Sequence, residues 1–185
     1  MADTHDPDDH AFLQGLRHAR RFQDRPVPPA IVDDLLAAGR SDHAAGDVPS
    51  WRFLVVDDLD TRRALSRIGA FTSILAQAPV AIVIVTDADA APSKANAEAR
   101  AGDRIMLAAS ELGLGSGTGW FGTEEAQERA RDILGVPPGQ TVWGAVGVGY
   151  VDAAPVPGES ALDRARKTLD RLSGERPRHP SPHKK

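Results

Sequence analysis

Pro79-Val80-Ala81-Ile82-Val83-Ile84-Val85-Thr86 is the stretch on which the fold turns. It carries no charge, is rich in β-branched residues and shows no alternation with polar positions. A strand with one face in water alternates; a continuous apolar run fits a strand covered on both faces, so this one is predicted to be central. Before it, Leu59–Ala76 mixes charged and apolar residues with a helical period, and Trp51–Val56 is a compact apolar strand closed by Asp57 and Asp58. Further back, Ser41–Ser50 reads as a loop. Ile31, Val32, Leu35 and Leu36 form one face of a helix ending near Gly39. The run Pro26-Val27-Pro28-Pro29 separates that helix from an earlier short one over Ala11–Arg20, whose apolar positions are Ala11, Phe12 and Leu16.

After the central strand, Lys94–Leu112 reads as a long helix with Ala101, Ile105, Ala108 and Leu112 on one stripe. Gly113–Gly122 is a glycine-rich strand or loop. Thr123–Leu134 is a helix with Thr123 as its N-cap, and Thr141–Tyr150 is a last strand of buried character. The expected organisation is an acidic, disordered head over 1–10, one domain over 11–152, a C-terminal arm over 153–173 and a disordered basic tail over 174–185.

Composition narrows the class. The 185 residues suit one domain, and the apolar 41% and charged 26% are those of a globular chain. There is no cysteine, which removes disulfides, thiolate nucleophiles and iron–sulfur clusters together. No run approaches the roughly 18 apolar residues of a membrane span, and Met1–His10 is acidic rather than signal-like; a cytoplasmic protein without membrane partners is expected. The net charge of −4 hides a basic end, with eight Arg/Lys against three Asp/Glu over Ala161–Lys185. That end lacks aromatic interleaving and a recognition-helix pattern, so nucleic acid is not an expected partner. Four of the six histidines (His5, His10, His179, His183) fall in the tails, and His18 and His43 have no metal-ligand spacing, so no metal is expected.

Three features could carry chemistry. Arg17 and Arg20, three apart, share a face on a helix and could grip a phosphate, or they could simply be the basic end of that helix. Gly113, Gly115, Gly117 and Gly119 alternate after a helix. They do not form a dinucleotide fingerprint, since Thr118 stands where its third glycine would fall. Such a backbone admits a flat ligand closely, or it marks a bent strand. Trp51, Trp120 and Phe121 could line a cleft or fill the core. Nothing resembles a nucleophile elbow or paired catalytic carboxylates.

In order, these pieces resemble the nitroreductase superfamily of FMN-dependent α+β homodimers, from about Leu13 to Leu172. The family's R-R-S-x-R-x-F opening corresponds to Arg17-His18-Ala19-Arg20-Arg21-Phe22, and its A-P-S-x-x-N-x-Q-P-W loop to Asp42–Trp51. Its L-A-A-x-x-L-G-L-G-S is similar to Leu107-Ala108-Ala109 with Leu112-Gly113-Leu114-Gly115-Ser116. Ile133-Leu134-Gly135-Val136-Pro137, Val146–Tyr150 and Arg166-Lys167-Thr168-Leu169 resemble its closing motifs.

The resemblance implies a three-layer fold with a central, mostly antiparallel sheet flanked by helices. It implies Arg17, Arg20, Arg166 and Lys167 around the flavin phosphate and ribityl chain. His18, Ala44, Asp47, Gly117, Thr118 and Gly119 would lie near the rest of the cofactor, with a backbone amide aimed at flavin N5 or O4. NAD(P)H is the implied reductant, and a quinone, nitroaromatic or similar electron-poor molecule the implied acceptor, with hydride passing through N5. No side chain is singled out as acid or base, although His18 could tune the ring.

The departures also carry meaning. His18 replaces the family serine and Leu16 its first arginine; Ala44, Asp47 and Pro49 replace serine, asparagine and glutamine. A carboxylate at Asp47 would repel electron-rich reduced flavin, which leaves open a weakly held FMN, a deazaflavin, or a non-catalytic flavin-binding subunit. A flavin-dependent dehydrogenase or oxidase working in the other direction is a further alternative. The short lid region between Thr86 and Lys94 implies an open substrate face.

Overall fold

The computed structural model describes residues 16, 18–41, 51–69, 71–87 and 92–151, with the side chains of 92–98 left aside. The chain divides into compact units at Asp152/Ala153, and all described residues belong to the first. The head, arm and tail expected at 1–10, 153–173 and 174–185 lie outside them, as do Arg17, Ala44, Asp47, Arg166 and Lys167.

The described elements are α1 (Pro29–Arg40), β1 (Trp51–Val56), α2 (Leu59–Leu65), α3 (Ile74–Gln77), β2 (Val80–Asp87), α4 (Pro92–Glu111), β3 (Gly115–Trp120), α5 (Glu124–Leu134) and β4 (Gln140–Gly149). The four strands form one sheet in the order β1-β2-β4-β3, and every neighbouring pair is antiparallel. β2 is therefore an inner strand, as its unbroken apolar run requires.

Successive side chains of β2 point to opposite faces, and each face has its own core. Ala81, Val83 and Val85 join Leu65, Leu75, Phe121, Ala126, Ala130 and Val142 on the side of α2, α3 and α5. Val80 and Ile82 join Val32, Leu35, Ile105, Ala109, Val146 and Val148 on the side of α1 and α4. The result is three layers, helix–sheet–helix, with β2 and β4 in the middle.

Helix ends follow local chemistry. Asp58 caps α2 by accepting from Thr61 N at 2.8 Å, and Thr123 caps α5 by accepting from Ala126 N at 3.2 Å. α4 and α5 both stop at a left-handed glycine: Gly113 (φ 74°) with Leu114 N donating to Ala109 O, and Gly135 (φ 62°) with Val136 N donating to Arg131 O. Because α4 ends at Glu111, its buried stripe is Ala101, Ile105 and Ala109, and Leu112 is left exposed instead of continuing it.

Two sequence expectations are corrected. The helix expected over Leu59–Ala76 is two short helices. Between them Thr72 is fully buried, with its Oγ1 accepting from Gly69 N at 3.2 Å and lying within hydrogen-bonding distance of the Ser66 and Gly69 carbonyls. That turn brings Gly69 against the end of β3, where a Cβ would stand 2.8 Å from Trp120 O. The second correction concerns the end of the helix expected over Ala11–Arg20, of which Leu16 and His18–Arg20 are described. His18 forms a parallel bridge with Ser116 of β3, and Ala19 N donates to Ser116 O at 2.7 Å. His18–Arg20 is non-helical chain laid on a sheet edge, so Arg20 does not stand on the expected helix.

Candidate functional site

The strip around β3 contains every predicted cofactor residue that is described: His18, Arg20, Gly117, Thr118 and Gly119. His18 and Arg20 are exposed on the segment beside the strand, and Arg20 forms no ion pair with a described residue. That segment is strapped down further on. Gln23 N donates to Tyr150 O at 2.8 Å, Gln23 Nε2 to Val151 O at 3.1 Å, and the Arg25 guanidinium sits 3.7 Å over the Tyr150 ring.

The alternating glycines have a packing cause. A Cβ on Gly117 would fall 2.4 Å from Ile74 Cδ1 and 3.2 Å from Ala19 O; on Gly119 it would fall 3.1 Å from Leu75 Cγ. Protein therefore fills the side of β3 toward which those side chains would point. A strand residue also directs its N–H and C=O to the same edge, alternating along the chain. Ser116 O accepts from Ala19, so Ser116 and Thr118 turn their backbone groups to the outer edge, while Gly117 and Gly119 turn theirs to β4. Of the three predicted positions, Thr118 alone offers an outward amide, and its side chain is exposed.

A separate cleft of about 790 Å³ lies elsewhere, lined by residues that include Phe22, Asp24, Arg25, Val32, Asp33, Val55, Asp57, Leu59 and Arg62. None of the described cofactor candidates (His18, Arg20, Gly117, Thr118, Gly119) lines it. Its cations are already engaged: Arg25 by Tyr150, and the buried Arg62 by the carbonyls of Ala78 and Asp57. Burial lowers the Arg62 pKa from its usual value, partly offset by Asp58 and Asp57. With Asp24, Asp33 and Asp57 on its walls, this cleft is poorly suited to a phosphate. Among the described residues, the exposed Arg20, an outward amide and an exposed hydroxyl come together instead at β3. Sequence reading missed the cleft because it is assembled from α1, β1 and α2, and no local pattern marks it.

Relatives agree with this placement of the fold. The model of the nitroreductase family matches residues 69–150, which span β2 to β4. A protein of Archaeoglobus fulgidus that carries the name of an NADH dehydrogenase/NAD(P)H nitroreductase is 30% identical over 141 residues, 72% of this chain and 80% of its own. The chain belongs to the nitroreductase family. An FMN-dependent nitroreductase from Clostridium difficile has the same fold with a TM-score of 0.73 and 29% identity, covering 84% of this chain and 95% of that one. NADPH:FMN oxidoreductase from Vibrio harveyi shares the fold at a TM-score of 0.70, with 16% identity over 89% of this chain and 84% of that one.

As a nitroreductase-family chain it belongs to a family of oxidoreductases. Among the described residues there is no group of three His, Cys, Asp or Glu side chains suited to a metal, and no helix long and apolar enough to cross a membrane.

Proposed function

We propose that this chain is an FMN-dependent oxidoreductase that draws electrons from NADH or NADPH and delivers them to a quinone, nitroaromatic or similar electron-poor acceptor, working as a homodimer in the cytoplasm. The observation that carries the reading is the edge of β3, where an exposed arginine without a described carboxylate partner stands near an outward amide and a free hydroxyl. That donor set fits a flavin, the arginine suiting its phosphate and the amide its ring. Its likeness to an FMN-dependent nitroreductase at 29% identity supports the choice of cofactor, and none of the relatives named above is described by a deazaflavin.

Bound FMN supplies the two-electron chemistry at its ring. Arg20, with Arg17, Arg166 and Lys167, is assigned to hold the phosphate end. Thr118 is assigned to donate its backbone N–H toward the ring, where a preorganised donor stabilises negative charge as it develops. Gly117 and Gly119 act indirectly, by letting α3 and the His18–Arg20 segment close against the strand and hold Thr118 in place. His18 and the loop residues Ala44 and Asp47 are assigned to the ring surroundings.

The test is direct. Purified protein is expected to be yellow, or to take up FMN stoichiometrically in titration, and to bleach anaerobically on addition of NADH or NADPH. A colourless protein that ignores FMN would sink the reading and favour a non-catalytic subunit. Bleaching by an organic substrate alone would reverse the proposed direction of electron flow.

A further inference from the structure

Trp120 and Trp143 have no place in the assignments above. Trp120 ends β3 and is 50% exposed, and Trp143 is 36% exposed. Their ring centroids are 5.8 Å apart with the planes tilted by 36°. The fold holds both rings at the surface. Ile84 pairs with Gly144 and Val85 with Val142, so Trp143 is the extra residue of a β-bulge that turns it outward. A Cβ on Gly122 would lie 2.8 Å from both Cδ1 and Nε1 of Trp120, so glycine there is what lets the indole occupy its position. Trp120 lies on the same face of β3 as the exposed Thr118, roughly 7 Å further along the strand.

We propose that Trp120 and Trp143 form a stacking platform for the electron acceptor, and that this acceptor is an uncharged, planar, electron-poor aromatic. Indole faces are electron-rich, and an electron-poor ring stacks on them favourably. No lysine or arginine occurs from Leu107 to Ala126; just beyond the platform Glu124 is exposed, and Glu125 is paired with Arg129 at 3.4 Å. The Glu124 carboxylate opposes a phosphate-bearing nicotinamide at this spot. The inference deepens the flavin reading and rests on it, because an acceptor must lie within reach of a ring held beside Thr118.

Menadione, a neutral naphthoquinone, is a suitable probe, because without reductant it binds but is not turned over. Tryptophan emission is followed during titration of the oxidised protein; Trp51 remains in every variant as a constant background. Saturable quenching is expected. The dissociation constant should rise about three- to tenfold in Trp120→Ala and in Trp143→Ala, while Trp120→Phe, which keeps a ring, recovers most of the binding. Gly122→Ala keeps both indoles but displaces one, and should weaken binding as well. Under turnover, KM for menadione should rise by the same factor, with kcat and KM for the nicotinamide unchanged.

Equal dissociation constants in wild type and all variants would overturn the platform. So would weaker binding accompanied by a halved molecular mass, which would make the pair a subunit contact. Circular dichroism identifies any variant that fails to fold, and the conservative Trp120→Phe then decides. Flavin content is read separately in the visible spectrum, so a colourless protein fails the flavin reading while the quenching titration still judges the platform.

Discussion

The Arg62 guanidinium hydrogen-bonds the Ala78 carbonyl and lies 3.4 and 3.3 Å from Asp57 O through Nε and Nη2, tying α2 to the entry of β2. Arg62→Met keeps the apolar stem but leaves those carbonyls without a donor, and should cost about 1–3 kcal/mol in urea unfolding. Arg63→Met, at an exposed position beside it, should cost almost nothing. Asp58 gives a pH test. The backbone N–H of Thr61, and to a lesser degree nearby Arg62, lower its pKa below the usual 3.8. Its contribution is therefore complete above the unfolded value and fades as pH falls through the folded one. The melting-temperature gap between wild type and Asp58→Ala should be full above about pH 5, start to narrow at about pH 4 and close only below the lowered folded value; a gap that persists unchanged in strong acid would deny the carboxylate its capping role. At the proposed site, Arg20→Gln should weaken FMN about tenfold and leave riboflavin, which lacks the phosphate, unchanged. Equal losses for both ligands would remove Arg20 from the phosphate end. The sequence marks Arg20 as a candidate by its motif, whereas Arg62 and Arg63 look alike in it. Only the packing of α2 tells which one is buried.

At the scale of elements, local chemistry was readable wherever the chain decides alone. β2 follows from its unbroken apolar run, the start of α5 from Thr123, and the ends of α4 and α5 are set by glycines in left-handed conformations. The chain was misread where a distant partner decides. His18–Arg20 carries a helical pattern, yet it pairs with Ser116 across almost one hundred residues of sequence, and Gly69 breaks a helical pattern in order to meet Trp120 O. Glycines in strands belong to this second kind, because their cause lies in the neighbouring layer. A Cβ on Gly149 would stand 2.4 and 2.6 Å from the Pro79 ring, which cannot swing aside. Gly149→Ala should then shift the β2 entry and destabilise by about 1–3 kcal/mol, as overpacking does. Thr123→Ala, which removes a single cap, should cost about 1 kcal/mol. Chemical denaturation of the two variants orders them, and a Gly149→Ala as stable as wild type would show that Pro79 and the Phe22 ring, on two separate segments, yield easily.

For the molecule as a whole, the two edges of the sheet differ. Beside β3, the His18–Ala19 segment shields part of the edge, whereas no described strand lies beside the outer edge of β1. Near that edge Val55 is 43% and Leu59 is 41% exposed, and both line the cleft of about 790 Å³. An open edge with apolar side chains invites pairing, and a protein that stays soluble covers it. The homodimer proposed here would place a second copy over that edge. The solution mass should then be about twice 19.7 kDa by sedimentation. Val55→Lys with Leu59→Lys, which places charge at the edge without touching either core, should shift the mass toward one chain. It should also release FMN on dilution if the cofactor depends on the assembled pair. A wild-type protein of single-chain mass that retains FMN would separate the two ideas: the flavin site would stand, and the β1 edge would need no second subunit.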